Sequence, residues 1–230
     1  MKQTPRDYDD HPDRYRAGMR QAADLGVSGT SVYDAVAQYL DRLGATLLLD
    51  IGCGDGVLRR SVAQSSRVVS MDRSLTLLRR VPALAVGGDA LALPFHDGVF
   101  DAAVSVNVLD HLAEPAAALR EARRVLRPLG VFLAGAISRH DSPELADVWR
   151  PTPTPFDSED APHLVAGVFE DVQVHEWDAP LLTLPDRDAV RGYLEVRFVP
   201  GEAAAEAAGR VATPITLTKR GALVVGRRAR

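Results

Sequence analysis

Residues 47–56 read Leu-Leu-Leu-Asp-Ile-Gly-Cys-Gly-Asp-Gly, and no other stretch limits the fold of this chain as much. An apolar run of strand length, broken only by Asp50, reaches glycines at 52, 54 and 56, and an amphipathic segment begins at Val57. The pattern predicts a buried strand, a tight loop and a helix. Alternate glycines let the backbone take positive φ and let a ligand approach without meeting a Cβ, and a helix start offers backbone N–H groups. A strand that merely ends in a turn needs one glycine. Three at alternate positions point to a nucleotide-type loop.

Charge narrows the ligand. A dinucleotide loop would carry its third glycine three residues after the second, where this chain has Val57, and it would cradle a pyrophosphate. Asp50 and Asp55 oppose that, because unit charges about 4 Å apart interact by about 1 to 4 kcal/mol at surface-like dielectrics. A ligand with no phosphate and a positive end is favoured. S-adenosylmethionine, with a sulfonium, an ammonium, one carboxylate and an adenosine, meets that requirement, and a nicotinamide oxidoreductase is disfavoured.

The chain has 230 residues, enough for a single α/β domain over 1–230 with a substantial core. A net charge of −4 gives no basic field for phosphodiester backbones, so nucleic acid is a disfavoured partner. The one cysteine, Cys53, excludes an internal disulfide and suits a reducing compartment. Residues 1–20 lack the apolar core of a signal peptide and no apolar run approaches membrane-span length, so the expected location is cytoplasmic.

Further along, Val68 to Met71 reads as a second strand ending at Asp72, twenty residues beyond Gly52. An acid there can accept both hydroxyls of a ribose lying across the strand ends. Ser74 is a plausible helix cap, Leu84 to Val86 a third strand, and His96-Asp97-Gly98 a turn. Val99 to Val106 is a buried fourth strand leading to Asn107-Val108-Leu109-Asp110-His111-Leu112. Helix Pro115 to Leu126 and strand Val131 to Ala136 follow. Beyond them are a Pro-rich loop over 149–156, a helix from Ser158 to Val168, a strand from Val172 to Trp177, a helix through Tyr193 and an alanine run over 203–208. Ile215 to Thr218 and Leu223 to Val225 are expected to form a hairpin around Lys219-Arg220-Gly221.

Asp50-Ile51-Gly52-Cys53-Gly54-Asp55-Gly56 resembles the first motif of class I S-adenosylmethionine-dependent methyltransferases, and the likeness extends over about Thr46 to Leu133. The small-molecule, quinone-biosynthesis type is the most similar. The resemblance implies a Rossmann-like, doubly wound α/β sheet of seven strands with an antiparallel last strand, plus insertions that roof the active site. It divides the chain into N-terminal lid helices (1–44), where Tyr8 and Tyr15 could serve, a cofactor core (45–136), a part with acceptor-pocket insertions (137–213) and the last strands (214–230). The insertions are Ile137 to Phe156 and Asp178 to Pro200. It implies S-adenosylmethionine as cofactor, held by Asp50, Gly52, Cys53, Gly54, Asp72, Arg73, Asp89, Ala90 and Asn107. Asp89 would accept from the adenine amino group, the Ala90 N–H would donate to the ring, and Asn107 would line the methionine end. The segment at Asn107 lacks the Asn/Asp-Pro-Pro-Tyr form used on amide or adenine nitrogens, and Leu129 stands where the family has a glycine.

The expected reaction is methyl transfer to a carbon, oxygen or nitrogen of a small quinone-like or secondary-metabolite acceptor. His111 is the first candidate for a base and His140 the second, since imidazole titrates near neutrality. No Cys/His/Asp grouping has metal-ligand spacing, so no metal is expected. A monomer or homodimer is expected. Two alternatives stand beside this reading: a protein that binds S-adenosylmethionine without methylating anything, and a methyltransferase of transfer RNA wobble uridines.

Overall fold

The computed structural model describes residues 11–82 and 84–230, so Tyr8 lies outside the described residues. In chain order the elements are α1 (Pro12–Leu25), α2 (Val32–Leu43), β1 (Leu47–Ile51), α3 (Val57–Ser61), β2 (Arg67–Asp72), α4 (Leu75–Leu78), β3 (Ala85–Gly87), β4 (Phe100–Val106), α5 (Pro115–Val125) and β5 (Leu126–Ile137). There follow α6 (Ala161–Ala166), β6 (Glu170–Leu184), α7 (Arg187–Glu195), α8 (Gly201–Gly209) and β7 (Ile215–Arg227). The strands form one seven-stranded sheet in the order β3-β2-β1-β4-β5-β7-β6. β1 to β5 pair in parallel, and β7 runs antiparallel to β5, with Val131 opposite Arg227 and Ile137 opposite Gly221. This is the doubly wound, Rossmann-like architecture with an antiparallel last strand that the motif implied.

The chain packs into two compact units. The larger comprises 32–138, 153–176 and 221–230. Its core is built on β1, β4 and β5, whose apolar runs are buried because helices cover a parallel sheet on both faces. Leu49, Phe100, Leu119, Phe132 and Val224 are almost wholly buried, and Phe132 stacks on Phe169 at 5.1 Å. The order reverses between β1 and β4, the place where open sheets of this kind bind ligands at their carboxyl ends. In the smaller unit, of which 11–31, 139–152 and 177–220 are described, α7 and α8 carry Tyr193, Leu194 and Ala204 into a second core with Leu145, Leu184 and Leu217.

Two expectations about the C-terminal part are corrected. The strand begun at Val172 continues to Leu184, taking in the start of the supposed insertion at Asp178. The hairpin around Lys219 does not form: β7 runs unbroken from Ile215 to Arg227. The Lys219-Arg220-Gly221 segment has local turn chemistry, but Asp141 holds it extended. Asp141 takes Lys219 Nζ on one oxygen and the Arg220 N–H on the other at 2.9 Å. Among the described residues, no helix is long and apolar enough to cross a membrane.

Candidate active site

The glycine loop lies at the carboxyl end of β1 in the larger unit. Gly52, Gly54 and Gly56 all have positive φ, at 74°, 57° and 84°. At Gly52 the need for glycine is double, since a Cβ would stand 2.7 Å from Cγ1 of Val108 and closer still to Cγ2. The N–H groups of Gly52 and Cys53 both donate to the Met71 carbonyl, at 2.8 and 2.9 Å, which fastens the loop to β2. The following helix, α3, has only five residues.

Asp72, at the end of β2, ties the loop down. Its Oδ2 accepts the Gly54 N–H and its Oδ1 the Ser74 N–H, both at 2.8 Å. A carboxylate accepts about four hydrogen bonds, so holding the loop and receiving a ribose diol are compatible roles. Ser74 caps α4 through its hydroxyl, which accepts from Leu77 N, as its position suggested. Arg73 between them is exposed.

Asp50 is 3% exposed, and its Oδ2 has no hydrogen-bond partner among the described residues. Burial, with the Asp72 charge adding to it, pushes its carboxyl up to about 8. An acid buried beside a second one suits a ligand that brings positive charge, so the donor set fits a sulfonium and ammonium. The charge argument from sequence needs one correction, however. Asp55 is neutralised by Arg60, whose Nη2 lies 3.2 Å from Oδ1, so the negative field comes from Asp72, and Asp50 adds to it once a cation beside it draws off its proton. Cys53 turns its side chain into a small cluster with Leu78 and Val81, where burial pushes the thiol well above its usual range. The part of Cys53 that can serve a ligand is therefore its backbone.

At the end of β3, Asp89 Oδ1 accepts the Leu91 N–H at 2.9 Å, and its carbonyl accepts from Ala92 at 3.0 Å, forming a turn that carries Ala90. At the end of β4, Asn107 is exposed and has φ 55°, a left-handed conformation uncommon for a residue with a side chain and frequent at ligand sites. After Asn107, a single 3-10 turn, Leu109–His111, sets His111 Nδ1 3.5 Å from Asp110 Oδ2. Asp50, the glycine loop, Asp72, Asp89, Ala90, Asn107 and His111 thus sit at the carboxyl ends of neighbouring parallel strands. His140 belongs to the smaller unit, where it is exposed and lines a cavity with Arg139, Trp149 and Arg220.

Sequence reasoning missed the clamp that orders residues 93–97. Arg124 on α5 donates to the carbonyls of Phe95 (2.8 Å) and Leu93 (2.9 Å) while gripping Glu121 and Asp97. Glu121 also accepts the Leu93 N–H at 2.8 Å. The Arg124 bonds hold the Glu121 carboxyl below its usual range. The i,i+3 spacing of Glu121 and Arg124 is the only trace of this clamp in the sequence. Among the described residues, no group of three or more His, Cys, Asp or Glu is placed to hold a metal ion.

The chain is similar to known methyltransferases in sequence and in fold. Residues 49–134 match the family model described as a methyltransferase domain. Over 102 residues the chain is 38% identical to a demethylmenaquinone methyltransferase of Corynebacterium kroppenstedtii, covering 42% of this chain and 44% of that protein. Over 128 residues it is 31% identical to a malonyl-acyl-carrier-protein O-methyltransferase of Erwinia billingiae, covering 53% and 51%. The chain spans about half the length of these curated relatives. The crystal structure of an S-adenosylmethionine-dependent methyltransferase from Thermotoga maritima, titled a possible histamine N-methyltransferase, matches with a TM-score of 0.60. That match covers 96% of this chain and 98% of that one at 17% identity, a likeness of fold alone.

Proposed function

We propose that the chain, whose residues 49–134 belong to the methyltransferase-domain family, is a class I S-adenosylmethionine-dependent enzyme that transfers a methyl group to a carbon, oxygen or nitrogen of a small quinone-like or secondary-metabolite acceptor. The observation that carries the reading is the pairing of a glycine loop bonded to Asp72 with a buried Asp50 oxygen that has no partner among the described residues. When bound, S-adenosylmethionine supplies a methyl group on a sulfonium that needs no activation.

What the chain contributes is position and charge. Asp72 accepts the ribose hydroxyls while fixing Gly54. Asp89 and Ala90 receive the adenine edge, and the Arg124 clamp keeps the segment after them in shape. Asn107 lines the methionine end. Asp72 provides the negative field that favours a cationic ligand over a pyrophosphate, and Asp50 joins it by giving up its proton to such a ligand. His111 takes the acceptor proton, and Asp110 orients its ring, as a base needs an orienting partner. His140 is the second candidate for that role. Acceptors that the relatives' names mention, a demethylated quinone and a malonyl thioester, set the first compounds to try.

The test is methyl transfer from labelled S-adenosylmethionine to a panel of hydroquinones, phenols, carboxylic acids and amines, with bulk transfer RNA as a further arm. Label in a small acceptor is the expected result. Label in transfer RNA alone, or none in any arm while the cofactor binds tightly, would contradict the proposal.

A further inference from the structure

The smaller unit carries a feature that the glycine loop does not explain. A cavity of about 150 Å³ is lined by Arg139, His140, Asp141, Trp149, Arg150 and Arg220, with Ser142, two prolines and Ala146 filling the rest of its wall. Three arginines in one small cavity stand out in a chain whose net charge is −4. We propose that this cavity is a binding site for a small, planar organic carboxylate, its acid group held by Arg150 and Arg220 and its ring laid against Trp149.

The charges of the wall support this. Its one carboxylate, Asp141, is 3% exposed and already saturated. Asp141 takes Lys219 Nζ, the Arg220 N–H at 2.9 Å and the Ser142 hydroxyl at 2.9 Å. Glu144 nearby is committed to the backbone and hydroxyl of Thr218. Arg220 is positioned without being exhausted. Its Nε donates to Asp178 at 3.1 Å and its Nη1 to the His140 carbonyl at 3.4 Å, which uses two of the five N–H groups of a guanidinium. Arg150 spends its Nε on the Ala146 carbonyl at 3.1 Å, leaving the fork of its guanidinium for a bidentate partner. A carboxylate is the planar anion that such forks fit.

The scaffold is rigid. Ser142 holds φ 56°, and its hydroxyl meets Tyr193 OH at 2.6 Å, while Lys219 Nζ reaches the same phenol at 2.8 Å. Because Tyr193 is wholly buried, this Ser-Tyr-Lys group supports the cavity wall and has no access to a substrate. Trp149 packs edge-on to Tyr193 at 6.1 Å and is partly exposed, so it can contribute apolar area to a ring. Drug-sized ligands fill about 300 to 1,000 Å³, so the cavity is sized for one ring with its acid and not for a longer molecule.

The probe is benzoate, with benzyl alcohol as its uncharged counterpart, titrated into the full chain carrying Trp177→Phe so that Trp149 is the remaining tryptophan reporter. Saturable perturbation of Trp149 emission by benzoate and not by benzyl alcohol is expected. Arg150→Gln, at an exposed position with little risk to folding, should weaken benzoate at least tenfold, and Arg220→Gln should do likewise. Equal responses to benzoate and benzyl alcohol, an unchanged affinity in both arginine variants, or no saturable response would overturn the proposal. The titration contains no S-adenosylmethionine, so its result is independent of the methyl-transfer reading.

Discussion

Gly54 donates its backbone N–H to Oδ2 of Asp72 at 2.8 Å, joining the loop after β1 to the end of β2. The residue proposed to hold the ribose therefore also shapes the loop proposed to receive the cofactor. Asp72→Asn keeps the size and one acceptor oxygen but removes the charge. Hydrogen bonds to charged groups are worth about 1.5 to 3 kcal/mol, so this variant should bind S-adenosylmethionine about tenfold to a hundredfold more weakly and, having lost one of the two bonds to Gly54 and Ser74, melt below wild type. Calorimetric titration beside a thermal melt checks both halves.

Gly52 tests the loop sterically. Gly52→Ala places a methyl group into Val108 and keeps an L-residue at φ 74°, two costs that together amount to about 1 to 3 kcal/mol or more. Adding Val108→Ala relieves the overlap and leaves the backbone strain. Denaturant titration should accordingly find the double variant between wild type and the single one.

Asp50 carries a pH signature. Its folded carboxyl is raised to about 8 from an ordinary value of 3.8, so between those values the native state holds a proton that the unfolded state has lost. Stability from this group therefore falls as pH rises from about 4 to 8 and levels off above. Asp50→Asn removes that dependence, so its melting temperature relative to wild type should climb steadily from pH 5 to pH 8. A cationic ligand lowers the same carboxyl toward its ordinary value, and S-adenosylmethionine binding should release protons near pH 7. Calorimetry in buffers of different ionisation enthalpy counts them.

His111→Asn separates a base from a positioning role. General base catalysis contributes about 10²- to 10⁴-fold, so kcat should drop within that range with cofactor affinity unchanged, and the acid limb of the pH profile should flatten. A loss under threefold would assign the proton to another group, His140 first.

The strand-loop-helix at Leu47 was legible because its signals are local: an apolar run, three glycines and a change of period within a dozen residues. Ser74 as a cap and Asp72 as a strand-end acid were legible for the same reason. The Arg124 clamp reaches back 31 residues to Leu93, and Asp101 fixes the entry to β1 by accepting the N–H groups of Thr46 and Leu47 across more than 50 positions. Such bonds leave no periodic trace. β7 was misread as a hairpin because Lys219-Arg220-Gly221 has turn composition, whereas its conformation is decided by Asp141, 79 residues away from Arg220. Asp55 misled in the other direction. Its repulsive charge was plain in the sequence, and its neutralisation by Arg60 was not.

The most direct test of the central claim is calorimetric titration of the full chain with S-adenosylmethionine, its homocysteine product and NAD, repeated on Asp72→Asn. Saturable binding of the first two, weakened by the substitution, with no heat from NAD, is the predicted result. Binding of NAD with no response to S-adenosylmethionine would contradict the account from the glycine loop onward.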